Sequence, residues 1–184
     1  MKKFVLSIAL FSFALCVFSQ ENSEKIKTNE VSLDWLDLAL FRTIDVSYEY
    51  VKNADWGFGA TTRYNFDKDN PFDEKYSVTP FFRYYFFNKK DYGSKGFYAE
   101  SFLKLYGGEI TEYNYLYTDE GYLYEKPTEK TFFEAALGIG LGFKYVSKRG
   151  FVLDLNLGGG RPLGISDYNL DFVGRSSVSF GYRF

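Results

Sequence analysis

The chain has 184 residues, room for one domain, and its 22 basic and 24 acidic side chains leave a formal net charge of −2, which argues against the basic footprint of a nucleic-acid binder. It contains no His, and its single Cys, Cys16, falls in a segment expected to be removed, so disulfides and thiolate or imidazole metal sites are not expected. Phe, Tyr and Trp make up 22% of the residues, more than a small core can easily enclose, so something outside the protein is expected to cover part of them.

In chain order, Lys2 and Lys3 precede an apolar run from Phe4 to Phe18, and Val17-Phe18-Ser19 offers the modest residues that a signal peptidase reads. Residues 1–19 are therefore predicted to be a signal peptide cleaved before Gln20, residues 20–29 a short periplasmic segment and residues 30–184 the folded domain. About 15 apolar residues fall short of the roughly 20 that a membrane-spanning helix requires. Lipid attachment at Cys16 is disfavoured, because the preceding Leu15 is bulky where such signals carry a small residue.

The next segment, EVSLDWLDLAL at 30–40, is read as a weak first strand whose phase slips near Trp35 and Leu36, with a short amphipathic helix as the other reading. Ile44, Val46, Tyr48 and Tyr50 then alternate with Asp45, Ser47 and Glu49. Trp56, Phe58, Ala60, Thr62, Tyr64 and Phe66 alternate with Gly57, Gly59, Thr61, Arg63 and Asn65. Val78, Phe82, Tyr84 and Phe86 oppose Ser77, Thr79, Arg83 and Tyr85, with Pro80 predicted to cause a bulge or local break because it lacks a ladder donor. Ala99, Leu103 and Leu105 oppose Glu100 and Lys104. In TFFEAALGIGLGFKYV, residues 131–146, a row running from Phe133 to Tyr145 opposes Glu134, Ala136, three glycines and Lys144. Phe151, Leu153, Leu155 and Leu157 oppose Asp154 and Asn156, and Val178, Phe180, Tyr182 and Phe184 close the chain on the same alternation. A period of two argues for strands, and the count is eight.

Short connections such as KNAD and SKRG alternate with longer ones such as DKDNPFDEK and RPLGISDYN, the asymmetry of an outer-membrane barrel. The predicted fold is all-β: a closed, eight-stranded, antiparallel up-and-down transmembrane barrel preceded by a signal-peptide helix. Volume orients its faces. Eight strands enclose an interior only just wide enough for side chains, so the bulky rows point outward into lipid. The lumen then receives a structural charge network of Glu49, Arg63, Arg83, Glu100, Lys104, Glu134, Lys144, Asp154, Arg175 and Arg183.

The terminal alternation of Val178, Phe180, Tyr182 and Phe184 resembles the C-terminal signature that the barrel-assembly machinery of bacteria recognises. With the strand count, the chain resembles the small outer-membrane barrels typified by OmpX and the membrane domain of OmpA. KYSVTPFFRYYF, GFYAESF, KYVSKRGF and FVGRSSVSFGYRF are similar to poorly characterised exported barrel proteins. The resemblance implies residence in the outer membrane of a Gram-negative bacterium, with outer-membrane lipid and the assembly machinery as partners.

Some barrels of this kind act on lipid A through a His with Ser or a carboxylate, and with no His that arrangement cannot be assembled. Glu100 and Glu134 remain as a carboxylate pair but are expected to be salt-bridged in the lumen. GIGLG and GGGR lack the GK[ST] and the helix of a phosphate loop, and DKDNPFDE puts Pro71 and Phe72 where a calcium loop needs a ligand and a glycine. No catalytic residue, cofactor or metal is assigned. EITEYNYLYTDEGYLYEKPTEK, residues 109–130, is read as two strand extensions protruding as a hairpin, with a Tyr-rich surface for an extracellular protein or glycan as its functional reading. The expected function is a structural or adhesion-like surface role; a narrow solute pore and a soluble lipocalin-like carrier are the alternatives.

Overall fold

Period-two alternation is realised as eight strands in the computed structural model, which describes residues 27–67, 74–86, 94–117, 123–166 and 171–184. They are β1 (Asn29–Asp34), β2 (Thr43–Val51), β3 (Trp56–Asn65), β4 (Glu74–Phe86), β5 (Gly96–Tyr117), β6 (Leu123–Val146), β7 (Phe151–Pro162) and β8 (Val173–Arg183). The predicted signal peptide, the calcium-like stretch at 69–72 and the turn at 119–121 lie outside the described residues.

Each strand pairs antiparallel with its sequence neighbours and β8 returns to β1, giving a closed up-and-down barrel. The closing register runs from Glu30 opposite Arg183 to Asp34 opposite Ser179. Beyond it Asn29 and Phe184 exchange two backbone hydrogen bonds, of 3.1 and 2.8 Å. The last residue is thus tied into the ladder, which leaves the sheet without an edge at that seam.

The first strand is shorter than the sequence reading of 30–40. After Asp34 the chain enters a helix, α1 (Trp35–Phe41). The Asp34 carboxylate caps it by accepting hydrogen bonds from the N–H groups of Leu36 and Asp37, the standard way of satisfying helix-start donors. Arg42 ends it in the left-handed region at φ 50°. Leu and Ala are strong helix formers, and the phase slip at Trp35 and Leu36 marks the point where the strand stops.

Pro80 breaks pairing locally without bending the register. β4 and β5 pair at Val78 with Leu105 and again at Phe81 with Phe102, skipping the two positions between, while the register shift falls at Glu74 and Tyr76. Tyr85 donates its N–H to Asp55 across β3, so odd residues of β4 face β3 and the missing donor of Pro80 faces β5. The skipped pairs are on that side.

The antiparallel order puts the junctions β2–β3, β4–β5 and β6–β7 at one end of the barrel, and β1–β2, β3–β4, β5–β6 and β7–β8 at the other. We call these the turn end and the loop end. β5 loses β4 as a partner beyond Gly108 and β6 loses β7 beyond Ala136, yet β5 and β6 stay paired up to Tyr117 opposite Leu123. Nine further residues of β5 carry this two-stranded ribbon about 30 Å past the rim at roughly 3.4 Å per residue.

The two faces differ sharply. Ile139, Leu157 and Leu141 are 75%, 72% and 64% exposed, and the outward row continues through Val46, Tyr48, Phe58, Val78, Phe82, Phe97, Phe143 and Phe180. Arg83, Glu100, Glu134, Lys144, Asp154 and Arg183 are all buried. Among the described residues no helix is long and apolar enough to cross a membrane, which leaves the strands to be considered.

Candidate functional site

The lumen is the place where the fold gathers chemistry. Alternation puts Glu30 of β1, Glu49 of β2, Arg83 of β4, Glu100 of β5, Lys144 of β6, Asp154 of β7 and Arg175 and Arg183 of β8 on inward positions, so four carboxylates meet four cations. Arg83 is the hub. Its Nη1 donates to Glu49 at 2.8 Å and to Asp154 at 2.6 Å, and its Nε to Glu100 at 2.7 Å. Its guanidinium also lies 4.4 Å from the ring centroids of both Phe81 and Tyr98, a favourable site for a desolvated cation.

Lys144 Nζ lies 2.6 Å from both Glu30 and Glu49 and 3.8 Å from Asp154. Those three carboxylates lie close enough together to hold a metal ion, but the ammonium of Lys144 already supplies the cation there. Arg183 joins Glu30 to the turn end, donating to Glu30 at 2.8 Å and to the carbonyl of Ser94 at 2.9 Å. Arg175 donates to Glu100 at 2.9 Å and to Thr61 at 3.1 Å. Multiple partners per ion are what a buried network requires, because a single poorly matched pair does not recover the cost of leaving water.

Nearer the loop end a second set forms. Arg63 pairs with Asp45 at 3.0 Å and with Asp37 of α1, and Lys104 pairs with Glu74 at 2.5 Å. Glu134 differs from the expected ion pairing. Its carboxylate accepts from the N–H groups of Ala135, Ile165 and Ser166 and from the Ser166 hydroxyl, at 2.9 to 3.2 Å. It therefore pins the β7–β8 link to the wall and is not paired with Glu100 for acid–base chemistry.

Several network members were not singled out from the sequence. Glu30, Asp34 and Asp37 lie where the strand and helix readings competed, although Glu30, Ser32 and Asp34 do alternate with Val31 and Leu33. The hydroxyls of Tyr85 and Tyr98, which donate at 2.7 Å to Glu49 and Asp154 respectively, sit on inward positions that carry no charge and so gave no signal.

The lumen also holds more rings than a uniform cylinder would accept. Phe81, Tyr85, Tyr98, Phe102, Tyr106 and Phe132 are buried inside it, on β4, β5 and β6. Glycines on neighbouring strands make the room: a Cβ at Gly138 would overlap the Phe102 ring, and one at Gly142 the Tyr98 ring. Gly142→Val is therefore expected to destabilise the barrel by about 1–3 kcal/mol through overpacking, read as a lower midpoint of urea unfolding. Tyr106, Phe132, Ala136 and Val173 complete the filling with an apolar cluster.

A polar cavity of about 20 Å³ lies among Asp45, Ser47, Thr61, Arg63, Arg83, Arg175 and serines of β8, room for about one water molecule. A depression of about 590 Å³ bordered by Phe82, Tyr84, Ile139, Leu141 and Leu157 lies on the outer wall, over the small side chains of Ala99 and Ser101.

Closed eight-stranded sheet, apolar exterior and charge-packed interior together define the class, a small β-barrel with an inverted distribution of polarity. No protein-family model matches the chain, and no curated protein matches it. Among solved structures it is similar to the N-terminal β-barrel domain of OprF from Pseudomonas aeruginosa, at 15% sequence identity and a TM-score of 0.49, covering 86% of this chain and 98% of that one.

Proposed function

We propose that the chain is an integral outer-membrane barrel of the OmpX and OmpA membrane-domain kind, with a structural or surface-interaction role and no catalysis. The observation that carries this is the inversion itself: large apolar side chains face out around the wall while the ions face in. In water that arrangement would waste the hydrophobic effect; in hydrocarbon it is the favourable one. Aromatic clustering at the strand ends supports it, as a band at the turn end and as one pair towards the loop end. At the turn end Tyr50 packs on Phe58, Trp56 on Phe82 and Tyr84, Phe97 on Phe143 and Phe151 on Tyr182; towards the loop end Tyr64 packs on Phe66. Outer-membrane barrels carry aromatic girdles at both interfaces.

On this reading residues 1–19 direct export, Val178, Phe180, Tyr182 and Phe184 engage the assembly machinery, and the ribbon at the loop end meets an extracellular protein or glycan. Against a soluble carrier stands the packing of the lumen among the described residues, where the polar cavity beside Arg83 and Arg175 measures about 20 Å³ and such a carrier needs several hundred. Against a pore stands the contact of Arg83, Lys144, Glu49 and Asp154 across the section.

The tests are direct. Purified protein should need detergent for extraction and should migrate differently on gels when unboiled and boiled; release by carbonate alone would refute membrane integration. In planar bilayers the folded protein is expected to give no steady conductance, and a reproducible open level would transfer the function to the pore class.

A further inference from the structure

We propose that the turn end of this barrel carries a binding surface for the anionic headgroups of lipids in the leaflet it faces, an inference that rests on the membrane reading above. The two ends have opposite signs. Among the described residues the three turn-end links contain Lys52, Lys95, Lys148 and Arg149 against Asp55. Among the described residues the loop-end links contain Asp37, Asp67 and Asp171 against Arg42. A nearly neutral chain has thus separated its charge along the barrel axis.

The basic side chains are placed for lipid phosphate. Aromatic girdles sit at headgroup level, and the turn-end links begin one to four residues beyond the rings of Tyr50, Tyr84, Phe143 and Phe151. Lys52, Lys148 and Arg149 are exposed there, as is the acidic Asp55. Lys52 donates its backbone N–H to the carbonyl of Trp56 at 3.0 Å, and the hydroxyl of Ser94, next to Lys95, reaches the same carbonyl at 3.5 Å. Trp56 is therefore flanked by two lysines. Across the barrel Lys27 is held 5.0 Å over the ring of Tyr182, donating to its hydroxyl at 3.2 Å, beside the 147–150 link.

An ammonium or guanidinium at this depth meets phosphodiesters of both lipid types, but only an anionic headgroup leaves a net charge to attract. Near a membrane surface each such side chain favours anionic lipid by roughly a factor of five at low salt. The acidic loop end has no comparable attraction, so the preference belongs to one rim.

Trp56 reports on that rim. In a Trp35→Phe variant of the full chain, refolded into phosphatidylcholine vesicles containing a minor fraction of phosphatidylglycerol, bromine on the phosphatidylglycerol should quench Trp56 as though that lipid were enriched about fivefold locally. Bromine on phosphatidylcholine at the same mole fraction should quench less. Adding Lys52→Gln and Lys95→Gln should remove the difference while heat-modifiable migration is retained. Equal quenching by the two lipids would overturn the proposal, as would a preference that survives in the lysine variant. A preference abolished by millimolar inorganic phosphate would also overturn it, assigning the surface to a soluble anion. If neither brominated lipid quenches Trp56 in folded protein, the membrane reading itself fails, and this surface with it.

Discussion

Ile139→Arg is expected to lower the unfolding free energy by about 2–4 kcal/mol, the depth-dependent cost of an arginine on the lipid face near the bilayer midplane. Ile139 is 75% exposed and lies midway along the outward row of β6 that runs from Phe133 to Tyr145. The magnitude decides between solvents. If that face met water, replacing an exposed isoleucine by arginine would change stability by no more than about 0.5 kcal/mol. Ile165, 61% exposed in the β7–β8 link at the loop end, supplies the control: Ile165→Arg should cost about 0–1 kcal/mol. Urea unfolding of both variants in lipid vesicles measures the difference. Equal midpoints for the two would place Ile139 in water and undo the assignment of faces.

The outward rows were readable because a wall between two media imposes one rule at every residue. β6 obeys it from Phe133 to Tyr145 and β8 from Val178 to Phe184. The rule fails where a local interaction competes. In DWLDLAL the leucines satisfy both periods over so short a span, and the choice falls to the Asp34 carboxylate capping two N–H groups. That is a three-residue device, too short to stand out against an eleven-residue alternation.

The interior was harder to read, for a different reason. Excluding large residues from the lumen treats each strand as having its own share of space, whereas space is conserved between neighbours. Phe102 and Tyr98 fit because β6 presents Gly138 and Gly142 opposite them. The glycines of GIGLG are thus half of a packing arrangement whose other half lies some forty residues earlier. Glu134 escaped in the same way, since its donors come from the backbone of Ile165 and Ser166, which no residue-type pattern reveals. Identity of the charged residues was legible; the partner of each was not.

Lys144→Met is the second large effect expected, a loss of about 3–5 kcal/mol from breaking a buried ion network at one member. Lys144 is 1% exposed and its Nζ binds Glu30 and Glu49 at 2.6 Å each. Removing it leaves Glu30, Glu49 and Asp154 crowded together with only Arg83 and Arg183 to answer them. The methionine fills most of the vacated volume, so the loss reports charge and not a cavity. Adding Glu49→Gln removes one of the uncompensated carboxylates, and the double variant should be more stable than the sum of the two single losses predicts, by about 0.5–3 kcal/mol. Strict additivity in that cycle would mean that Lys144 and Glu49, 2.6 Å apart, do not stabilise each other. The double variant should still conduct nothing in planar bilayers, because Arg83 remains clasped between Phe81 and Tyr98 and bound to Glu100 and Asp154. Rescue of stability without opening a channel would separate the two roles that the network could play, holding the wall together and blocking its axis.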